Sequence, residues 1–172
     1  MFLSIKELEV KKVAFEATFE PGQFDFSGAD VRQVSALHAE GVAEMLPNSD
    51  GEVRIQGRIT VAMEADCDRC LGTAHYDVNE PFDLFYEPSA KVAGEDEIAI
   101  NAAAAEIGFY EGAGIELNDI LAEQVLLQLP MQRVCKEDCL GICAVCGKNR
   151  NETGCHCVEV PADDRWSALR AL

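Results

Sequence analysis

The sequence predicts a mainly β protein of the α+β class, with an antiparallel β-rich body, one buried helix and a cysteine-rich segment at its carboxyl end. Three observations carry this prediction. Apolar and polar residues alternate along the first half of the chain, an apolar stretch of helical length stops at Pro130, and six cysteines lie between 135 and 157. We divide the chain into a body, residues 1–131, and a tail, residues 132–172.

Alternation of apolar and polar residues indicates the strands of the body. Val13, Phe15, Ala17 and Phe19 alternate with polar or small residues, which predicts a strand with one face against a core. The clearest case is the stretch 52–65, in which every second residue is apolar over most of its length. It predicts one long antiparallel strand.

Turn signals connect this strand to its neighbours. Residues 48–51, Asn-Ser-Asp-Gly, predict the turn of a hairpin between a strand at about 34–45 and the long strand. A further strand is predicted at 75–86, interrupted near Pro81, whose missing N–H favours a bulge or an edge position. The acidic residues 88–97 then predict an exposed loop.

One helix is predicted within the body. Asn118 is the expected cap and Pro130 ends the helix, with Asp119 near the positive helix end. The expected apolar face consists of Ile120, Leu121, Val125, Leu126 and Leu127. A second, short helix is predicted at the end of the tail, where Trp166 and Leu169 lie on one side.

The net charge of the chain limits the kinds of partner that it can bind. Its 14 basic and 31 acidic residues leave a net charge of −17, which disfavours phosphate backbones over most of the surface and favours a basic protein as direct partner. The excess is concentrated in residues 61–130, with 2 basic and 15 acidic residues. The first 20 residues lack the apolar run of a signal peptide or membrane span, so we expect a cytoplasmic protein without a membrane partner.

The tail cysteines predict a structural zinc site. Cys143 and Cys146, followed by Gly147, form a knuckle in which two sulfurs approach one ion. The Asn- and Gly-rich stretch after it can return Cys155 and Cys157 to the same ion. One of the remaining two ligands could instead be Cys135 or Cys139, and spacing alone does not decide. Without a metal, these cysteines would be buried inert thiols or a disulfide.

Cys67 and Cys70 form a second CxxC pair, at the end of the long predicted strand. We interpret it as a β-turn with two partly buried thiols. A redox motif would need a thioredoxin-like βαβ setting, which is not predicted nearby. The count of eight cysteines also permits a second metal site shared with Cys135 and Cys139.

The sequence does not predict a catalyst. His38, His75 and His156 form no HExxH pattern, and no GxSxG, Walker or dinucleotide-binding pattern occurs. Zinc held by four thiolates has no open position for water, which excludes the usual metal-hydrolase chemistry. We therefore expect a non-enzymatic protein without a small-molecule substrate.

Taken together, the sequence segments resemble the YceD family, the large ribosomal RNA subunit accumulation proteins of bacteria and chloroplasts. The matching segments are 5–8 (IKEL), 53–58 (VRIQGR), 67–71 (CDRCL), 123–127 (EQVLL), 129–131 (LPM), 139–149 (CLGICAVCGKN), 151–152 (NE), 155–157 (CHC) and 164–169 (DRWSAL). One departure precedes Trp166, where relatives carry Asp-Pro-Arg and this chain has Asp163-Asp164-Arg165.

The resemblance implies an antiparallel β-rich domain and a ribosome-biogenesis factor that promotes accumulation of large-subunit ribosomal RNA. Its partner is then that RNA or a basic ribosomal protein. The resemblance implies no catalytic residue. Two other functions stay open: a nucleic-acid-binding zinc-ribbon regulator, which would need a basic stripe, and a thiol oxidoreductase that uses Cys67 and Cys70.

Any RNA contact is expected in the tail. Arg133, Lys136, Lys148 and Arg150 lie in the cysteine segment, where only Glu137 and Asp138 oppose them. The local balance between 133 and 150 is thus +2, whereas residues 61–130 carry −13. So few charges predict weak RNA binding, and these residues could equally serve to keep the zinc loop in solution.

Overall fold

A computed structural model describes residues 1–89 and 107–157 of the chain. These residues divide into two compact units. The described part of the first unit is 1–65, 75–89 and 107–131, and that of the second is 66–74 and 132–157. Residues 66–74, which the sequence analysis included in the body, therefore group with the second unit.

Strands dominate the described residues, as the sequence predicts. The strands are β1 (Phe2–Ser4), β2 (Val13–Phe19), β3 (Val31–Gln33), β4 (Leu37–Met45), β5 (Val53–Asp66), β6 (Thr73–Pro88), β7 (Ile107–Tyr110) and β8 (Gly114–Glu116). The α-helices are α1 (Ile5–Leu8) and α2 (Leu117–Gln128), and a 3-10 turn spans Ser27–Ala29.

Among the described residues, six strands form one sheet and two form a small one. The large sheet has the order β2-β4-β5-β6-β7. β3 also pairs with β5, at residues 63–65, beyond the stretch of β5 that pairs with β4. β2, β3 and β4 make antiparallel pairs, whereas β7 runs parallel to the end of β6. β1 and β8 form the small antiparallel sheet. The prediction of a mainly antiparallel β fold is confirmed.

The predicted hairpin is confirmed in the pairing of β4 with β5, whose register places Met45 opposite Val53. Alternate residues of β5, including Val53, Ile55 and Ile59, are buried, as their spacing predicts. The predicted interruption at Pro81 is wrong, because β6 runs continuously through it. The alternative of an edge position agrees with the described residues, since β7 pairs with β6 only at 85–88. The parallel strand β7 had no sequence signal.

The buried helix is confirmed as α2, but two details of its prediction are wrong. The cap position is Glu116, and Asn118 lies inside the helix, where its Oδ1 accepts a hydrogen bond from the Met1 amine at 2.7 Å. Leu126 and Leu127 are exposed. The buried side chains recur at helical spacing: Leu117, Ile120, Leu121, Gln124 and Val125.

One apolar cluster joins the sheet and α2 within the first unit, and it contains none of the eight cysteines. The predicted terminal helix and most of the predicted acidic loop lie outside the described residues. Among the residues that are described, no helix is long and apolar enough to cross a membrane.

Candidate metal centres

The eight cysteines gather in two groups of four, both within the second unit. The first cluster consists of Cys67, Cys70, Cys135 and Cys139. The second cluster consists of Cys143, Cys146, Cys155 and Cys157. Within each cluster the four sulfurs lie within 4.8 Å of one another, so each cluster could hold a metal ion.

The sulfur spacing of the first cluster fits a tetrahedral ion. Zinc–thiolate bonds of about 2.3 Å, directed to the corners of a tetrahedron, require sulfurs about 3.8 Å apart. Cys67 Sγ lies 3.8 Å from Cys139 Sγ, and Cys70 Sγ lies 3.7 Å from Cys135 Sγ. A disulfide needs about 2.05 Å, and all eight cysteines are free thiols. These sulfur separations therefore suit four thiolates bound to one metal ion, and they exclude a disulfide in either pair.

Each cluster begins with the same kind of backbone turn. In the second cluster, the Gly147 N–H donates to the Cys143 carbonyl at 2.8 Å, and Gly147 has a positive φ of 70°. In the first cluster, the Leu71 N–H donates to the Cys67 carbonyl at 2.9 Å, and Leu71 has a positive φ of 59°. Cys67–Leu71 is thus a knuckle in which leucine takes the position usual for glycine.

Backbone N–H groups point at a sulfur in both clusters. Burial raises the pKa of the Cys67 thiol, but backbone hydrogen bonds from Cys135, Arg69 and Cys70 outweigh this and lower its pKa to about 6. The Cys135 N–H lies 3.4 Å from that sulfur. N–H donors stabilise the thiolate form, which is the form that binds metal.

Cys143 is the corresponding sulfur of the second cluster. Backbone hydrogen bonds from Cys146 and Val145 lower the pKa of its thiol to about 6, and the Val145 N–H lies 3.4 Å from the sulfur. Cys143 is buried, whereas Cys146 is exposed. A metal ion at this cluster would therefore be partly shielded from solvent on one side.

The structure sorts the predicted zinc ligands into two sets. Cys143 and Cys146 come together with Cys155 and Cys157, one of the arrangements that the sequence left open. Cys135 and Cys139, the alternative ligands for that ion, lie instead with Cys67 and Cys70. The favoured interpretation of Cys67 and Cys70 as an ordinary turn was incomplete, because the turn belongs to a group of four thiols.

The four predicted RNA-contacting residues all lie in the second unit, around the clusters. Lys136 forms an ion pair with Asp138 at 3.6 Å, and the Arg133 N–H donates to Asp68 Oδ2 at 2.7 Å. Lys148 and Arg150 are exposed and flank Asn149 on the segment between the two halves of the second cluster. Lys136 is exposed as well, so three of the four predicted contact residues offer positive charge to solvent.

The family model described as "Large ribosomal RNA subunit accumulation protein YceD" matches residues 55–172, a range that contains all eight cysteines. The chain belongs to this family. That description names the accumulation of large-subunit ribosomal RNA, and it describes the family.

A relative from Mycobacterium leprae (strain TN), described as an uncharacterized protein, is 29% identical over 114 residues. The match covers 64% of this chain and 46% of the relative, so the chain spans about half of that protein's length. No solved structure matches the chain.

Proposed function

We propose that this chain is a non-enzymatic ribosome-biogenesis factor that promotes the accumulation of large-subunit ribosomal RNA, with one structural zinc ion in each cysteine cluster. The observation that carries the proposal is the family match, which spans both clusters. In each cluster four sulfurs are available to one ion, which leaves no coordination position for a reacting water. The metal chemistry would then support folding.

The position of Cys67 supports a structural role for the first cluster. Its side chain has no solvent exposure, and its sulfur faces Cys139 at 3.8 Å. A thiol oxidoreductase needs a sulfur that its substrate can reach. A lowered pKa alone therefore does not favour the oxidoreductase alternative, because a metal ligand needs the same thiolate.

The charge distribution favours a mixed partner. The second unit carries the exposed cations Lys148 and Arg150, while the chain as a whole has a net charge of −17. Few phosphate contacts give little affinity, so RNA would be held chiefly through a basic ribosomal protein bound elsewhere on the chain. The zinc-ribbon regulator is the weaker alternative, because Lys148 and Arg150 are too few to make a basic stripe.

Depletion of this protein in its own cells is the direct test of the function. We expect large-subunit ribosomal RNA to fall relative to small-subunit ribosomal RNA, and expression of the parent chain to restore the ratio. Quantifying both RNAs by capillary electrophoresis measures the effect. An unchanged ratio after complete depletion would contradict the proposed function, whereas an equal fall of both RNAs would indicate a general growth defect.

A double variant tests the RNA contact. Replacing Lys148 and Arg150 with alanine should weaken RNA binding and reduce the salt slope by about 0.7 per lost phosphate contact. Zinc content should stay at the parent value, since neither residue is a thiol ligand. Binding of a single-stranded fragment of large-subunit ribosomal RNA, titrated at several salt concentrations, gives both quantities.

The matched control removes two cations from the first unit. Lys6→Ala with Lys11→Ala deletes two exposed positive charges, and Lys11 forms only a surface ion pair with Glu7 at 3.0 Å. This control should bind RNA like the parent. If both double variants lose the same affinity, net charge rather than a tail contact governs binding, and the proposed contact residues are incorrect.

A further inference from the structure

Three residues join the two clusters, and they are held from both sides. The connector, Leu140–Ile142, separates Cys139 of the first cluster from Cys143 of the second. Its backbone groups bond to Arg69, inside the first knuckle, and to the segment 149–151, inside the second cluster's loop. The connector is therefore hydrogen-bonded to segments of both clusters.

The first knuckle holds the connector through Arg69. The Ile142 N–H donates to the Arg69 carbonyl at 2.8 Å, and Arg69 Nη1 donates to the Cys139 carbonyl at 3.4 Å. Gly141 has a positive φ of 71°, and a Cβ there would lie 2.9 Å from the Arg69 carbonyl oxygen. A glycine is required at this close approach.

The return loop, residues 147–154, holds the connector from the other side. The Arg150 N–H donates to the Gly141 carbonyl and the Cys143 N–H donates to the Lys148 carbonyl, each at 2.9 Å. The ends of the return loop are fixed by Cys146 and Cys155, two thiols of the second cluster. A metal ion in the second cluster would thus hold both ends of this loop.

Asn151 carries the contact across to the first cluster. Its Oδ1 accepts a hydrogen bond from the Leu140 N–H at 2.9 Å, which fixes the orientation of the amide. Its Nδ2 then faces Cys139 Sγ at 3.3 Å. Asn149 Oδ1 accepts hydrogen bonds from the Asn151 N–H at 3.0 Å and from Nδ2 at 2.9 Å. The side chain is therefore held between its own loop and a sulfur of the other cluster.

We propose that Asn151 is a positioning residue that couples the two metal centres, so that metal in the second cluster slows metal release from the first. An ion at Cys146 and Cys155 orders the return loop, and the ordered loop holds the Asn151 amide against the Cys139 sulfur. A hydrogen bond to a ligand sulfur orients it and stabilises the thiolate. Where this slower release raises the affinity of the first cluster, linkage requires metal in the first cluster to raise the affinity of the second by the same factor, although the release rates need not change equally. This inference rests on the proposed metal binding.

The test measures zinc release to an excess of chelator from the full chain and its variants. Cys67→Ser with Cys70→Ser removes the first cluster, so the release phase that disappears in this variant belongs to that cluster. Asn151→Ala should accelerate this phase about tenfold, within the range known for lost hydrogen bonds to metal ligands. Thr153→Ala, on the same return loop, should release zinc at the parent rate.

Removing the second cluster by Cys143→Ser with Cys146→Ser should accelerate first-cluster release to a similar degree. Adding Asn151→Ala to that variant should then have no further effect, because the loop is already released. If the two sets of substitutions accelerate first-cluster release by factors that multiply, the coupling is overturned. It is also overturned if Asn151→Ala releases zinc at the parent rate. Asn151→Asp keeps the acceptor for Leu140 but loses the donor to sulfur, and it should behave like the alanine variant.

The release experiment tests the coupling independently of the proposed role in ribosomal RNA accumulation. Purified chain that holds no metal in either cluster would overturn both the zinc assignment and the coupling. Two bound ions that leave independently would overturn the coupling alone. The ribosomal RNA ratio after depletion is a separate measurement, and either outcome of the release experiment leaves that prediction standing.

Discussion

The purified chain is expected to contain two zinc ions per molecule, one in each cluster, rather than the single ion that the sequence predicts. The reason is the sulfur geometry of the first cluster, where separations of 3.7 and 3.8 Å match the edges of a zinc tetrahedron. Elemental analysis of the purified chain measures the stoichiometry and also distinguishes zinc from iron, which four tetrahedral thiolates can bind as well.

Paired serine variants assign each ion to its cluster. Cys67→Ser with Cys70→Ser should retain one zinc ion, as should Cys143→Ser with Cys146→Ser, and the combination of all four should retain none. Retention of two ions in either paired variant would contradict the assignment. His156 lies between two ligands of the second cluster but belongs to neither cluster. The variant His156→Ala should therefore keep both ions.

Metal removal should affect the two units very differently. The described part of the second unit contains no helix or complete strand, and structural zinc contributes about 10 kcal/mol or more to sites of this kind. A chelator should therefore unfold this unit. The apolar cluster of the first unit contains no cysteine, so the strand signal in circular dichroism should persist.

The strands of the first unit were predictable because their signal is local. Alternation along β5 and the turn at 48–51 fix which residues face the core and where the hairpin reverses. The parallel pairing of β7 with β6 was not predictable, since it joins Ile107 to Phe85. Pairing of distant segments depends on tertiary packing, which a local pattern does not contain.

The second cluster had a glycine signal and the first had none. Gly147 marks the left-handed position of a CxxC knuckle, and Gly is the residue that takes this conformation without strain. Leu71 takes the same conformation in the first knuckle, so the left-handed position there carries no glycine to indicate a metal site, and Gly72 lies one residue beyond it. The even number of cysteines was the available signal, and it permitted two sites without identifying their members.

Helix α2 shows why an apolar residue in a helical stretch is not sufficient to predict burial. The sequence placed Leu121 and Leu127 on one apolar face, yet Leu121 is 0% exposed and Leu127 is 66% exposed. Two side chains six positions apart on a helix point in different directions, whereas side chains three or four positions apart lie on the same face. The positions of Leu117, Leu121 and Val125 follow this rule.

These two leucines make a matched pair of variants for the stability of the first unit. Leu121→Ala should lower the free energy of unfolding by about 3 kcal/mol, because it removes a fully buried side chain and leaves a cavity in the apolar cluster. Leu127→Ala should change it by no more than about 0.5 kcal/mol, since the side chain is mostly in solvent. Both substitutions introduce the same residue into the same helix, so helix propensity cancels in the comparison. Denaturant unfolding of the zinc-loaded chain, followed by the strand signal in circular dichroism, measures both values. Equal destabilisation by the two variants would show that the face of α2 turned toward the core has been assigned incorrectly.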